Sequence, residues 1–169
     1  HTYTAKLLFS KDTITKEGKA IKPTKIISGG QIGVDFAMLE AATESGIETG
    51  GMAPLGYRSE AQDKAAHMDK LKGYGLTESE SANYMDRTRE NVDNSAGTIV
   101  FTELDGLGDA KWDTAVGTNK TVEYAKEQGK PVLINPKTPE HIWLWMASNG
   151  LEGGIINMAG PRVMAPERI

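Results

Sequence analysis

Short apolar runs alternate with longer amphipathic stretches over most of the chain. The clearest amphipathic stretch has its apolar residues at helical spacing, on one face: Val34, Ala37, Met38, Ala41 and Ala42. Helices are also predicted over residues 79–94, 118–128 and 141–148, and strands over residues 25–28, 48–52, 98–101, 132–134 and 155–158. This alternation predicts an α/β fold with a doubly wound, mostly parallel sheet and helices on both faces.

The region between the second predicted strand and the second predicted helix has no clear period. Pro54 opens it, and we expect irregular structure as far as about Thr77. Thr77 or Ser79 is the predicted cap of the helix over residues 79–94, with Glu80 completing a capping box behind Thr77.

The first part of the chain differs in composition from the rest. Residues 1–24 are rich in Lys and Thr and end near Pro23, so we expect an N-terminal arm or an edge hairpin there. Residues 25–169 are predicted to form a single ligand-binding domain, a size that suits one core.

Composition narrows the classes of function. No apolar run approaches the roughly 18 residues that a membrane span needs, and no signal peptide is recognisable. The sequence has no cysteine, which excludes disulfides and thiolate metal sites and suits a cytoplasmic protein. The net charge of −4, without a basic run, argues against nucleic-acid binding. An anionic ligand would therefore need backbone N–H groups and a few chosen cations.

Residues 28–35, which read S-G-G-Q-I-G-V-D, are the first candidate site. A glycine-rich turn between a first strand and its helix is where doubly wound folds bind phosphate. Gly29 and Gly30 would let N–H groups approach an anion, and Gly33 would let the helix start close to the sheet. The loop is neither G-x-G-x-x-G nor a P-loop, and a tight turn without a ligand is the alternative.

Other polar residues are predicted at the same edge of the sheet. Gln31 lies within the loop, and Asp35 in the first helical turn either compensates the helix dipole or accepts a hydrogen bond from a ligand amine or hydroxyl. The start of a later helix offers N–H, hydroxyl and amide groups for a phosphate or the far end of the ligand, with Thr118 as a simple N-cap as the alternative. The residues there are Gly117, Thr118, Asn119 and Thr121.

Three further side chains complete the candidate set. Arg58 follows the second strand, and Arg87 and Asn91 share a helix face four residues apart. An Arg fork matches phosphate or carboxylate geometry, although surface ion pairs are the usual fate of such residues. The three histidines have no metal-binding spacing, and each is interpreted as an ordinary surface or core residue.

Five segments, in order, resemble one family: residues 29–35 (G-G-Q-I-G-V-D), 50–56 (G-G-M-A-P-L-G), 84–92 (Y-M-D-R-T-R-E-N-V), 117–123 (G-T-N-K-T-V-E) and 157–162 (N-M-A-G-P-R). They are similar to the motifs of the molybdenum cofactor carrier proteins. The resemblance implies a Rossmann-like fold related to lysine-decarboxylase-like phosphoribohydrolases and DNA-processing protein A. It also implies a homo-oligomer, a dimer or tetramer, that binds the molybdenum cofactor, a pterin with a terminal phosphate.

The resemblance distributes roles over the candidate residues. The glycine loop and the Gly117-Thr118 helix start would lie on the phosphate side, while Arg58, Arg87 and Asn91 would contact the pterin or the molybdenum oxygens. A carrier would protect this small anionic ligand and not transform it.

The chain departs from the family pattern in several places where polar or cationic residues are frequent. The positions are Ile32, Phe36, Leu55 and Tyr57, and Lys120 offers partial compensation.

Two other functions remain open. The related phosphoribohydrolases carry P-G-G-x-G-T-x-x-E, whereas here no P-G-G precedes Gly117 and Glu123 is five residues beyond Thr118. This counts against a nucleoside-monophosphate hydrolase, so a binding protein is favoured over an enzyme. A nucleotide-sensing domain, which binds without turnover, is the remaining alternative.

Overall fold

The structure is a computed structural model that describes residues 23–31, 33–59, 61–101 and 116–160. Within these residues six parallel strands form one sheet in the order β3-β2-β1-β6-β4-β5. The strands are β1 Lys25–Ile27, β2 Glu48–Ala53, β3 Leu76–Glu78, β4 Gly97–Val100, β5 Val132–Ile134 and β6 Ile155–Ala159.

Five α-helices connect these strands in the described residues, and a short 3-10 helix spans Leu55–Tyr57. The helices are α1 Val34–Glu44, α2 Lys64–Gly73, α3 Tyr84–Asp93, α4 Val116–Glu127 and α5 Pro139–Ser148. The predicted α/β fold, with a parallel sheet and helices on both faces, is confirmed. The predictions for residues 1–22 and for the loop over residues 102–115 lie outside the described residues.

The larger part of the core lies between the sheet and the helices α1 and α5. Its buried members include Ile26, Met38, Met146 and Ile156, and the half-buried Trp143 and Trp145 pack against it. On the opposite face, α3 contacts both β2 and α4. A second, smaller cluster lies beside α2 and joins Leu39, Ala53, Leu71 and Leu76.

The prediction of irregular structure between Pro54 and Thr77 is wrong. This region contains the 3-10 helix, α2 and β3. Helix α2 has no apolar stripe because only His67 and Leu71 are buried along it, so the 3.6-residue period is absent. Strand β3 has only three residues, too few for an alternating pattern.

The predicted start of the next helix is also wrong. Helix α3 begins at Tyr84, and the Asn83 side chain caps it by accepting a hydrogen bond from the N–H of Met85 at 2.8 Å. Thr77 lies in β3, so no capping box with Glu80 forms. Ser79 instead donates its hydroxyl to Glu90 at 2.7 Å.

The position of strand β6 in the sheet indicates where a ligand is expected to bind. It pairs with β1 on one side and β4 on the other, so the two halves of the sheet meet through it. The chain leaves β1 toward β2 and leaves β4 toward β5, in opposite directions across the sheet. The carboxyl ends of β1, β6 and β4 therefore surround the switch point at which α/β sheets bind ligands.

Candidate ligand-binding site

The loop after β1 and the start of α1 lie at this switch point. The end of β6 is packed tightly there, since a Cβ atom at Gly160 would be 2.7 Å from both the Phe101 carbonyl oxygen and the Val34 side chain. The strand ends and the helix N-terminus are therefore closely packed against each other at this point.

Asp35 is the central charge of the site. Its side chain is buried and accepts hydrogen bonds from the backbone N–H groups of Gln31 and Gly29. Arg87 faces it from α3, with 3.6 Å between Nη1 and Oδ2. Burial raises the pKa of Asp35 to about 6, although Arg87 and the two N–H groups act to lower it.

Three N–H groups of the loop therefore have partners within the protein. Those of Gly29 and Gln31 bind the Asp35 carboxylate, and that of Gly30 donates to the Ser28 hydroxyl at 3.2 Å. The predicted phosphate contact of these groups stays a prediction. A phosphate at this point would have to compete with a carboxylate that the loop already encloses.

Packing inside the protein explains the glycines of the loop. A Cβ atom at Gly29 would lie 1.9 Å from Nη1 of Arg87, so the guanidinium occupies the space of a side chain. Gly30 has φ +76°, and a Cβ atom there would lie 2.8 Å from methyl groups of both Leu71 and Leu76, while Gly33 has φ 117°. L-residues rarely adopt either dihedral angle. The tight turn that the sequence left as an alternative therefore has structural support.

His67 lies in α2 and contacts this loop, a contact that the sequence analysis missed. Its Nε2 lies 2.8 Å from the Gly30 carbonyl oxygen, so this nitrogen carries the proton and donates. The ring lies 5.2 Å from the Phe36 ring, centroid to centroid. Burial lowers the pKa of His67, although the hydrogen bond to the Gly30 carbonyl acts to raise it. Recognising the contact required α2, which the sequence did not reveal.

Gln31 and Arg58 are brought together beside α3. The Gln31 Nε2 donates to the Arg58 carbonyl oxygen at 2.9 Å. The exposed Arg58 guanidinium lies 4.5 Å from the centroid of the Tyr84 ring and donates to the Ala82 carbonyl at 3.0 Å. The Arg87 guanidinium lies 5.9 Å from the same centroid. Both predicted arginines therefore flank one aromatic ring at the rim of the site.

Asn91 has a different environment from the one the resemblance implies. It is buried, accepts from the Met52 N–H at 2.8 Å and donates to the Met52 carbonyl at 3.1 Å. Its carboxamide thus joins α3 to β2 along the backbone. Arg89, on the same helix, has the exposed ion pair expected of such residues, with Asp86 at 3.3 Å.

Helix α4 starts earlier than predicted. It begins at Val116, so Gly117, Thr118 and Asn119 lie in its first turn, and the alternative of Thr118 as an N-cap is wrong. The side chains of residues 117–119 lie outside the described set. Thr121 is buried, and Lys120 is exposed.

Within the described ranges, no group of three or more His, Asp or Glu side chains could hold a metal ion. No helix in that part of the chain is both long enough and apolar enough to span a membrane.

Comparisons with known proteins agree with the fold and the motifs. A model of the circularly permutated YpsA SLOG family matches residues 26–169. The crystal structure of a "Putative molybdenum carrier protein" from Syntrophus aciditrophicus SB superposes with a TM-score of 0.64 at 30% sequence identity, and the match covers 84% of each chain. No curated protein matches the chain. These matches confirm the family resemblance that the five sequence segments indicate.

Proposed function

Because the chain belongs to the circularly permutated YpsA SLOG family, we propose that it binds a small phosphorylated heterocycle and holds it intact. The molybdenum cofactor, as cargo and not as a resident group, is the first candidate. The observation that carries this proposal is the buried Asp35 carboxylate at the switch point, enclosed by loop N–H groups and Arg87. The name of the structural relative supports the same ligand class.

The buried carboxylate suggests how the ligand is oriented. An anionic phosphate placed beside Asp35 would be repelled in a site that water does not screen. A ring with N–H donors is attracted there, since carboxylate and carboxamide oxygens are acceptors. We therefore assign the ring to the glycine loop. The phosphate would lie outward, toward the exposed Arg58 guanidinium and the first turn of α4.

Binding without turnover is supported by the position of the potential catalytic carboxylate. Glu123 is exposed, in the middle of α4, and it lacks the motif spacing of the related hydrolases. A general base has to reach the bond that breaks. The dimer or tetramer and the cytoplasmic location remain predictions of the sequence.

A nucleotide-sensing role is the second candidate. Guanine presents the same donor edge as a pterin, so the acceptors of the loop fit both rings equally well. The apolar and aromatic replacements at Leu55, Phe36 and Tyr57 reduce the polar groups available to the oxygens of a molybdenum centre, which favours an ordinary nucleotide.

The test is to identify what the protein retains. We expect protein co-expressed with the cofactor pathway and purified anaerobically to release a fluorescent pterin derivative on acid–iodine oxidation. A tightly bound nucleotide in place of the pterin would support the sensor. Release of free base from nucleoside monophosphates, lost in Glu123→Gln, would contradict both binding roles.

A further inference from the structure

The Gln31 carboxamide has two ends in different environments. Its Nε2 donates to the Arg58 carbonyl oxygen at 2.9 Å, whereas its Oε1 is buried without a hydrogen-bond partner among the described residues. The residue is only 3% exposed. Because a carbonyl oxygen only accepts, the Arg58 carbonyl requires the amide nitrogen on its side and places the amide oxygen on the other. Among the residues that the structure describes, this oxygen is therefore a buried acceptor without a donor, which is costly and unusual.

The backbone around this acceptor is held in place as well. The Gln31 N–H donates to the Asp35 carboxylate, and the Gln31 carbonyl oxygen accepts from the N–H of Phe36 at 3.1 Å. The carboxamide oxygen cannot turn toward another donor without loss of the Arg58 contact. An acceptor fixed in this way binds a ligand donor with little loss of side-chain entropy.

The loop thus contains two buried acceptors, the Asp35 carboxylate and the Gln31 carboxamide oxygen. Both repel phosphate and carbonyl oxygens and match N–H groups. A 2-amino-4-oxo ring offers such donors at one edge, where an amino group lies beside a ring nitrogen. Pterin and guanine share this edge, so the chemistry is common to both candidate sources.

We propose that Gln31 is a specificity-determining residue whose carboxamide oxygen accepts a hydrogen bond from the 2-amino edge of the bound ring. This inference rests on the proposed function and names its substrate class, a phosphorylated 2-amino-4-oxo heterocycle. In a ring that carries oxygen in place of the amino group, two acceptors would face each other, and binding would weaken.

The first measurement needs only the wild-type protein. Dissociation constants are determined by calorimetry for 6-hydroxymethylpterin phosphate and its 2-oxo lumazine counterpart, and for GMP and XMP. We expect the 2-amino member of the bound pair to bind about tenfold more tightly, the effect of one hydrogen bond gained against one unsatisfied acceptor. Binding of the pterin pair would identify the ring as a pterin, and binding of the GMP and XMP pair would identify it as a purine nucleotide.

The second measurement uses Gln31→Met, which keeps the side-chain length and removes the acceptor. We expect the preference to fall to within about twofold. The thermal midpoint should also fall by a few degrees, because the substitution removes the Nε2 donor to the Arg58 carbonyl together with the acceptor. Gln128→Met is the matched control, since Gln128 is exposed at the end of α4 and should leave the preference unchanged.

The outcomes separate this inference from the proposed function. Equal affinity of the wild type for the amino and oxo members, or an unchanged preference in Gln31→Met, would overturn the role of Gln31 alone. Failure of all four ligands to bind the wild type would overturn the proposed function as well.

Discussion

Two cationic side chains link α3 to the rest of the molecule, one near each end of the helix. One of them faces a carboxylate, and the other binds backbone carbonyl oxygens. Near the start, Arg87 faces the Asp35 carboxylate, and both side chains are largely buried, at 12% and 6% exposure. At the end, the Lys130 ammonium donates to the carbonyl oxygens of Val92, Asp93 and Ser95 at 3.0, 2.7 and 2.8 Å.

The difference lies in what each cation neutralises. The carbonyls at the end of any helix lack partners, and a lysine that binds them also complements the negative end of the helix dipole. Arg87 instead requires a second buried charge, whose desolvation offsets much of the attraction. The Lys130 end is thus explained by stability alone, whereas the Arg87 end has a desolvation cost that stability does not explain and that is typical of functional sites.

The largest expected effect comes from Arg87→Met, which would leave the Asp35 carboxylate buried without its cation. We expect a loss of about 3–5 kcal/mol in the free energy of unfolding at pH 8, measured by urea denaturation. Because Arg87 lowers the pKa of Asp35, its removal raises that pKa further, and protonation at pH 5.5 should recover much of the loss.

Arg89→Met is the control for this substitution. Its ion pair with Asp86 is about half exposed, so we expect a change below about 0.5 kcal/mol. An equal loss for Arg87→Met at both pH values would show that packing, and not charge, joins this end of α3.

The second effect is the pH dependence of the wild type. The pKa of Asp35 is raised from 3.8 to about 6, so the folded state binds its proton more tightly than the unfolded state. This contribution is present below pH 4 and is lost as the pH rises through 6, on the order of 3 kcal/mol in total.

Asp35→Asn isolates that titration. His67 acts in the opposite direction, because its lowered pKa costs stability as the pH falls below 6.5. The difference between wild type and Asp35→Asn, measured from pH 4 to pH 8 by urea denaturation, cancels the His67 contribution. Parallel stability curves for the two proteins would contradict the raised pKa of Asp35.

The smallest effect concerns the other end of α3. Lys130→Met should lower the free energy of unfolding by about 2 kcal/mol, since three charge-assisted hydrogen bonds of a half-buried ammonium are lost. Lys126→Met, on the exposed surface of α4, is the control, and a similar loss there would mean that the carbonyl contacts contribute little.

The sequence predicted most of the fold because the central strands are nearly all apolar. Strand β4, for example, is buried at every residue. The sequence-based prediction failed at α2, because the two buried positions of that helix are too few to mark an apolar face. It also failed at the start of α3, where several polar residues compete as caps.

The sequence predicted where the glycine loop lies, between β1 and α1, but not the contacts that its residues make. Motif spacing located the loop, yet nothing local shows that its N–H groups bind Asp35 or that Arg87 fills the space beside Gly29. The Arg87 contact joins residues more than fifty positions apart, and the N–H contacts depend on the turn of the backbone. The environment of the Gln31 oxygen, which has no partner in the described part of the chain, likewise depends on Arg58 lying beside the carboxamide.

The central position of β6 also determines when the protein can fold during synthesis. The ribosome completes β1 to β5 before it makes the strand that joins them, so β3-β2-β1 and β4-β5 cannot form one sheet until β6 has been made. Until β6 inserts, β1 and β4 each present an unpaired edge to other chains. The strand that completes the sheet beside the candidate site is therefore also the one whose late arrival leaves the chain most open to chaperones and to misassembly.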